Sequence, residues 1–466
     1  MALFNFSKKD KKDSSKGSEE KPPLKKGLFS KFSKPGKKGK KTGLKASKKQ
    51  KKVKLNKKAV IGIDFQDNSI RVVQMIKRKK EMVLERVAFI PMDASVWRMG
   101  RIQDQEKFFE ILKKGLEDAD INGQKAVIGL SGTNSVVRVV RLPRLTKAQL
   151  RETINVQLGQ YVPFPPEDTL FKYEVLRDIL EDEIEKQEVM IVATRYSILD
   201  PILLALQKLN IDPVGVKVGF LSATNVLSRY FEDYSQSVAI VDLRNAITDI
   251  LFVSGSNDDL DLDIEEGKKK KKKKKVMPLT PGRLSRTIEF GYEKVIRDFT
   301  GQLADGVSVQ DLPEIFRMTD IDLLDSSSSE ASDDSGDDDP FASFGDEENQ
   351  QEEEESDEES NLPSSADVNI ALRKVFDNFA SDIDSSKRYF ESWSRSRERL
   401  GRVVLIGNIR RFNNIDAYLS EKSGLDVVLG DPLENIDYGS TEWFPDKMRG
   451  AVYEIATAVS LASEAL

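Results

Sequence analysis

Two segments of this chain run apolar up to an aspartate and then turn, and a third runs up to glycine and asparagine. Ile61-Gly62-Ile63-Asp64 leads through Phe65-Gln66-Asp67-Asn68 into Ser69-Ile70-Arg71-Val72-Val73. Val241-Asp242 leads through Leu243-Arg244-Asn245-Ala246-Ile247 into Thr248-Asp249-Ile250. Val404-Leu405-Ile406 leads into Gly407-Asn408-Ile409. The remaining chemistry is bounded by composition, because the 466 residues include no cysteine and no histidine. That excludes a disulfide framework, a thiolate nucleophile and the usual zinc or iron–sulfur sites. It also excludes a Ser-His-Asp triad, an imidazole base and the common haem ligands. Carboxylates, hydroxyls, amides, Lys, Arg and backbone groups are left. They suit phosphate or peptide binding better than acid–base chemistry near neutral pH.

The net charge of −5 conceals large opposite blocks. Residues 1–58 carry 22 Lys against four acids, residues 268–275 are eight lysines, and residues 320–360 hold 19 acids with no Lys or Arg. Like charges repel, and such stretches bury too little apolar surface to offset ordering entropy. Residues 1–58, 254–278 and 320–363 therefore read as a disordered basic tail and two disordered insertions. No segment approaches the roughly 20 apolar residues that span a bilayer, and no signal peptide is legible, so a soluble protein of a reducing compartment is expected.

The elements that must position the three turns are legible between these blocks. Residues 59–64 and 69–76 read as a hairpin, since Asp-Asn is good turn chemistry. Residues 124–130 and 136–142 read as a second strand pair around Ser131-Gly132-Thr133-Asn134. A helix is predicted from Thr146, with Gln149 as capping-box partner and Leu150, Ile154, Leu158 and Tyr161 on one face. Pro163-Phe164-Pro165-Pro166 stops it, because proline cannot donate the helical hydrogen bond. A strand at 189–193, a helix capped by Ser197 and stopped at Asn210, a strand at 214–218 and a helix at 221–231 complete a first half. The second half reads as strands at 238–242, 248–253 and 287–290, then a helix with Val295, Ile296, Phe299 and Leu303. A long amphipathic helix spans Val368 to Phe390. A strand at 403–406, a helix at 414–420, a strand at 426–429 and a C-terminal helix follow. Two α/β halves, each opening on a hairpin with Asp at its first strand end, suggest duplication.

The order and separation of the three turns resemble the actin/Hsp70-like superfold. Arg141-Leu142-Pro143-Arg144-Leu145 before a helix and Gln160-Tyr161-Val162-Pro163-Phe164-Pro165 after it resemble one family of that superfold, the PilM proteins of type IV pilus assembly. The strand-helix-strand at 189–218, Thr287-Ile288-Glu289-Phe290-Gly291 and Leu429-Gly430-Asp431-Pro432-Leu433 are similar to the same family. The resemblance covers about residues 59–253, 283–310 and 366–466.

It implies a two-domain duplicated α/β fold. The first domain would span 59–236 with a small subdomain inserted at about 85–173, and the second 237–445. A C-terminal helix at 446–466 would return to the first. It implies a scaffold, peripheral at the inner face of the cytoplasmic membrane, that binds the cytoplasmic N-terminal peptide of a PilN-like bitopic membrane protein beside that subdomain. Other pilus platform components, and twitching motility, would follow. The resemblance also implies ATP and magnesium. Asp64, Gln66, Asn68, Ser69, Asp242, Asn245, Thr248, Gly291, Gly407 and Asn408 would face the nucleotide, with Asp64 and Asp242 orienting the metal. Backbone N–H groups must approach phosphate closely there, which calls for small residues.

The sequence departs from the family at those turns. Family members have Asp-Ile-Gly-Ser where this chain has Asp64-Phe65-Gln66-Asp67. Leu243-Arg244-Asn245, Gly291-Tyr292 and Gly407-Asn408-Ile409 likewise stand where glycines are usual. Each change adds bulk, which weighs against tight ATP binding and against hydrolysis, and no catalytic base is assigned. Arg244 could meet a phosphate, but is read as a surface arginine. Other readings are an active ATPase or sugar kinase of the same superfold, disfavoured by the missing glycines, and an FtsA-like protein, disfavoured because the chain ends within a fold helix. The basic tail could touch anionic lipid. It gives non-specific phosphate affinity, but it has little aromatic interleaving and no reader domain follows, so no specific nucleic acid is expected.

Overall fold

The computed structural model describes residues 2–5, 56–98, 100–181, 183–231, 234–253, 284–303, 363–394, 398–438 and 451–466, with a few single residues between 308 and 321. The expected insertion at 254–278, nearly all of that at 320–363 and most of the tail at 1–58 lie outside the described residues. Within the tail, Ala2–Asn5 forms a short strand, β1, and Asn56 already opens the next, so the expectation of a wholly disordered tail is corrected at both ends.

The first half is built from β2 (Asn56–Phe65), β3 (Ser69–Arg78), β4 (Glu81–Pro91), a two-stranded ribbon of β5 (Trp97–Arg98) and β6 (Arg101–Ile102), α1 (Gln105–Asp118) and β7 (Gly123–Leu130). The chain then passes through β8 (Ser135–Pro143), α2 (Lys147–Tyr161), β9 (Thr169–Glu181) and β10 (Ile184–Arg195). It returns through α3 (Tyr196–Lys208), β11 (Asp212–Val218) and α4 (Gly219–Ser222). The second half holds β12 (Ser237–Leu243), β13 (Thr248–Val253), β14 (Leu284–Ile288), α5 (Tyr292–Thr300), α6 (Ser365–Trp393), β15 (Leu400–Gly407), α7 (Ile415–Ser423) and β16 (Asp426–Leu429). Helix α8 (Ala456–Ser463) closes the chain.

The duplication is visible in strand order. The first sheet runs β4-β3-β2-β7-β11, with β1 added antiparallel on the outer edge of β11, and the second runs β14-β13-β12-β15-β16. In each, the first three strands form an antiparallel meander. The last two join the first strand in parallel. Parallel strands need crossover connections, and the helices that supply them cover the sheet faces. Hence β12, β13 and most of β2 are buried along their length and read as continuous apolar runs rather than alternating ones.

The strands expected as a pair around Ser131-Gly132-Thr133-Asn134 both form, but they do not pair with each other. β7 stays in the large sheet, and β8 leaves for a separate three-stranded sheet of order β8-β10-β9. That sheet and α2 enclose their own core of Leu150, Ile154, Leu158, Val189 and Ile191. The smaller unit therefore begins at Ser135 and ends near Arg195, whereas β4, α1 and β7, within the expected insertion at about 85–173, belong to the large sheet. Thr146 caps α2 with Gln149 as its reciprocal partner, as the spacing predicts. Asn210, at φ +60°, stands just beyond α3. The long helix predicted at 221–231 is instead α4 and two 3-10 turns, Ala223–Asn225 and Ser228–Tyr230. Among the described residues no helix is long and apolar enough to cross a membrane.

Candidate functional site: a cleft bridged by its own side chains

All ten sequence-predicted site residues lie on the turns where the two sheets meet. Asp64 and Asp242 occupy equivalent positions, one residue before the ends of β2 and β12. Two residues further on, each hairpin folds a side chain back onto its aspartate. Gln66 Nε2 donates to Asp64 Oδ2 at 3.0 Å, and Arg244 Nε donates to Asp242 Oδ2 at 3.0 Å. The positions where glycine would have left space are therefore filled symmetrically.

Arg244 is not a surface residue. Its side chain is fully buried, with Nη1 3.7 Å from Asp64 Oδ1 and Nε 3.3 Å from Asp249 Oδ2. One guanidinium thus sits among carboxylates from both halves. Asp249 in turn accepts from Thr287 Oγ1 at 2.6 Å and from the Gly132 backbone N–H at 3.4 Å. A Cβ on Gly132 would stand 2.1 Å from Asp249 Oδ1, so only glycine lets the 131–134 turn approach so closely.

The predicted ligand residues bond to one another across the cleft. Asn245 Nδ2 donates to Asn68 Oδ1 and to Ser69 Oγ, while Asn68 Nδ2 donates to Glu293 Oε1 at 2.6 Å. Asn408 Nδ2 donates to Asn245 Oδ1 at 3.0 Å, and Arg411 Nε donates to Asn408 Oδ1 at 3.2 Å. Arg411 Nη2 and Arg71 Nη2 then donate to the two oxygens of Glu454, at 2.8 and 2.7 Å. The three turns and the segment before α8 are joined in one chain of contacts. Thr248 Oγ1 is spent on the Phe290 carbonyl at 2.6 Å.

Burial and charge decide the protonation of the cluster. Burial pushes the Asp242 and Asp67 carboxyls up to about 6, although Arg244 pulls each back down. Asp249 is raised for the same reason. Burial alone would lower Arg244, but the carboxylates of Asp64, Asp242, Asp249 and Asp67 outweigh it and hold the guanidinium charged.

A magnesium–nucleotide pair does not fit this arrangement. The guanidinium stands between Asp64 and Asp242, the two residues expected to orient the metal. The first N–H groups of α5, which would face a phosphate, are already donated. Tyr292 N bonds the Arg244 carbonyl at 2.9 Å and Glu293 N the Asn245 carbonyl at 2.8 Å. Gly291 and Gly407 serve close backbone packing. A Cβ on Gly291 would meet Asn245 O at 2.4 Å, and one on Gly407, at φ +84°, would meet Leu243 O at 2.2 Å. Sequence reasoning missed Asp249, Thr287, Gly132, Arg411 and Glu454. Asp249 could have been found as the residue facing Asp242 across the hairpin. Arg411 and Glu454 carry no local signal.

Three solved structures are similar to this chain. A PilM–PilN type IV pilus biogenesis complex superposes with a TM-score of 0.62 at 14% identity, covering 87% of this chain and 98% of that one. The ethanolamine utilization protein EutJ from Carboxydothermus hydrogenoformans matches at TM-score 0.43 and 9% identity, covering 88% of this chain and 90% of that one. MreB 5 of Spiroplasma citri, bound to AMPPNP, matches at 0.40 and 10%, covering 87% and 95%. The first of these supports the actin-like fold, and residues 62–258 of this chain match the family model of the type IV pilus assembly protein PilM.

Proposed function

We propose that this chain is a scaffold of a type IV pilus or related secretion platform, peripheral at the inner face of the cytoplasmic membrane. There it docks the cytoplasmic N-terminal peptide of a PilN-like bitopic membrane protein and does not turn over ATP. The observation that carries this reading is the buried Arg244, which leaves the cleft no ordinary place for a metal and phosphates. The smaller unit is the favoured docking element. Its strand β9 has a neighbour on one side only among the described strands, and Val175 and Leu180 on β9, with Ile184 at the start of β10, expose apolar surface. An extended peptide can add to such an edge by main-chain hydrogen bonds and seat alternate side chains. The similarity to a PilM–PilN complex supports the class of partner. Contact with further platform components, twitching motility, and anionic membrane contact through the lysine-rich tail belong to the same reading. Specific nucleic-acid binding does not.

The test is a pull-down and calorimetric titration of the full chain with N-terminal peptides of neighbouring bitopic proteins. Saturable binding that weakens when Leu180 and Ile184 are changed to serine is expected. Indifference to every such peptide would sink the reading. Vesicle co-sedimentation of the full chain against a chain lacking the tail tests the lipid contact, which is abandoned if both bind equally.

A further inference from the structure

We infer that Arg244 is the resident cation of the cleft, standing in for a bound metal, and that it holds the two halves closed whether or not nucleotide is present. The inference is independent of the partner reading, because it concerns only how the halves meet.

Three carboxylates, those of Asp64, Asp242 and Asp249, each place an oxygen within 3.7 Å of this one guanidinium. Asp64 comes from the first sheet and the other two from the second, so the positive charge is shared across the boundary between halves. Hard divalent cations take such all-oxygen donor sets. A guanidinium serves the same acids with a charge that persists at any working pH, its Nε facing Asp242 and Asp249 and its Nη1 facing Asp64. The difference is attachment. A metal–nucleotide pair can leave, and closure then depends on occupancy. Arg244 is part of the hairpin, so closure is permanent. The chain of contacts from Asn68 through Asn245 to Asn408 acts in the same direction, joining turns of both halves beside the ion cluster.

Removing the guanidinium leaves buried carboxylates facing one another without a cation, and the arrangement then becomes a site for a divalent ion. The experiment uses the full chain, which conveniently lacks cysteine. Glu117→Cys on α1 and Glu421→Cys on α7 are both exposed and lie on opposite halves. Spin labels there report the separation of the halves. With Arg244 present, one narrow distance distribution is expected, unchanged by EDTA, magnesium or magnesium–ATP. In the Arg244→Gln background the distribution should broaden or shift in EDTA and return toward the original in millimolar magnesium. Its melting temperature should rise by about 3 °C or more on adding the ion. A distribution that moves with magnesium–ATP while Arg244 is in place would overturn the inference. So would an Arg244→Gln chain that is unaltered in EDTA, or one that broadens and ignores magnesium. Should Arg244→Gln not fold, the arm with Arg244 intact still decides about closure. An Arg244→Gln, Asp249→Asn chain, which removes one buried carboxylate together with the cation and leaves Asp64 and Asp242 facing one another, then takes the variant's place under the same outcomes.

Discussion

Arg244 Nη1 lies 3.7 Å from Asp64 Oδ1, with neither side chain exposed and each contributed by a different half of the molecule. Removing one member of a buried ion cluster costs far more than the cluster adds to stability, since the remaining charges lose their compensation. The cleft is therefore held by interdependent groups, and its behaviour on substitution separates a structural cluster from a ligand site.

A second ion pair ties the chain's end to its beginning. Arg71 on β3 and Glu454 before α8 meet at 2.7 Å and are both nearly buried, and the Arg71 guanidinium stacks 4.8 Å from the Phe89 ring centroid. Glu454→Gln should destabilise the chain by about 3–5 kcal/mol in urea unfolding. Replacing Arg71 by Met together with Glu454 by Leu should cost less than either single change. A double-variant cost equal to the sum of the two single costs would show that the pair is not coupled.

Helix α8 packs on β2 at a distance that only glycine allows. A Cβ on Gly62 would stand 1.9 Å from the Ala458 carbonyl oxygen. Gly62→Ala should lower stability by about 1–3 kcal/mol. Hydrogen exchange should accelerate over 456–463 while the β12–β15 sheet stays protected. Uniform acceleration throughout would place the effect elsewhere.

The pH dependence has a defined sign. Asp67 and Asp242 titrate near 6 in the folded chain against 3.8 for a free carboxyl, because burial disfavours their charged forms. The folded state therefore binds more protons than the unfolded state between those values. Stability is full below that window and is lost as pH rises through 6. Melting temperature should climb by a few degrees from about pH 7.5 to about pH 5, and Asp67→Asn should remove part of the climb. A steady fall over that range would contradict the assignment.

Much of the architecture was legible because it rests on local chemistry. The capping box at Thr146, the proline stop after Tyr161 and the Asp-ended hairpins each carry their signal within a few residues. The boundary of the smaller unit was not, because β7 and β8 look like a hairpin until one knows that β7 pairs in parallel with β2 and β11. The site was legible as a place and misread in its contents. Gln66 and Arg244 registered as bulk where glycine is usual, yet nothing local reveals that each folds back onto the aspartate two residues before it. Arg244 reads as a surface residue in the sequence because its companions Asp64 and Asp249 come from other strands. Pairing across halves is a property of closure, which spacing along the chain does not encode.

The cleft is filled by the protein's own charges. Isothermal titration of the unmodified full chain with magnesium–ATP probes this without any substitution. No saturable heat and no change in melting temperature are expected at millimolar nucleotide, whereas micromolar, magnesium-dependent binding would overturn this description of the cleft.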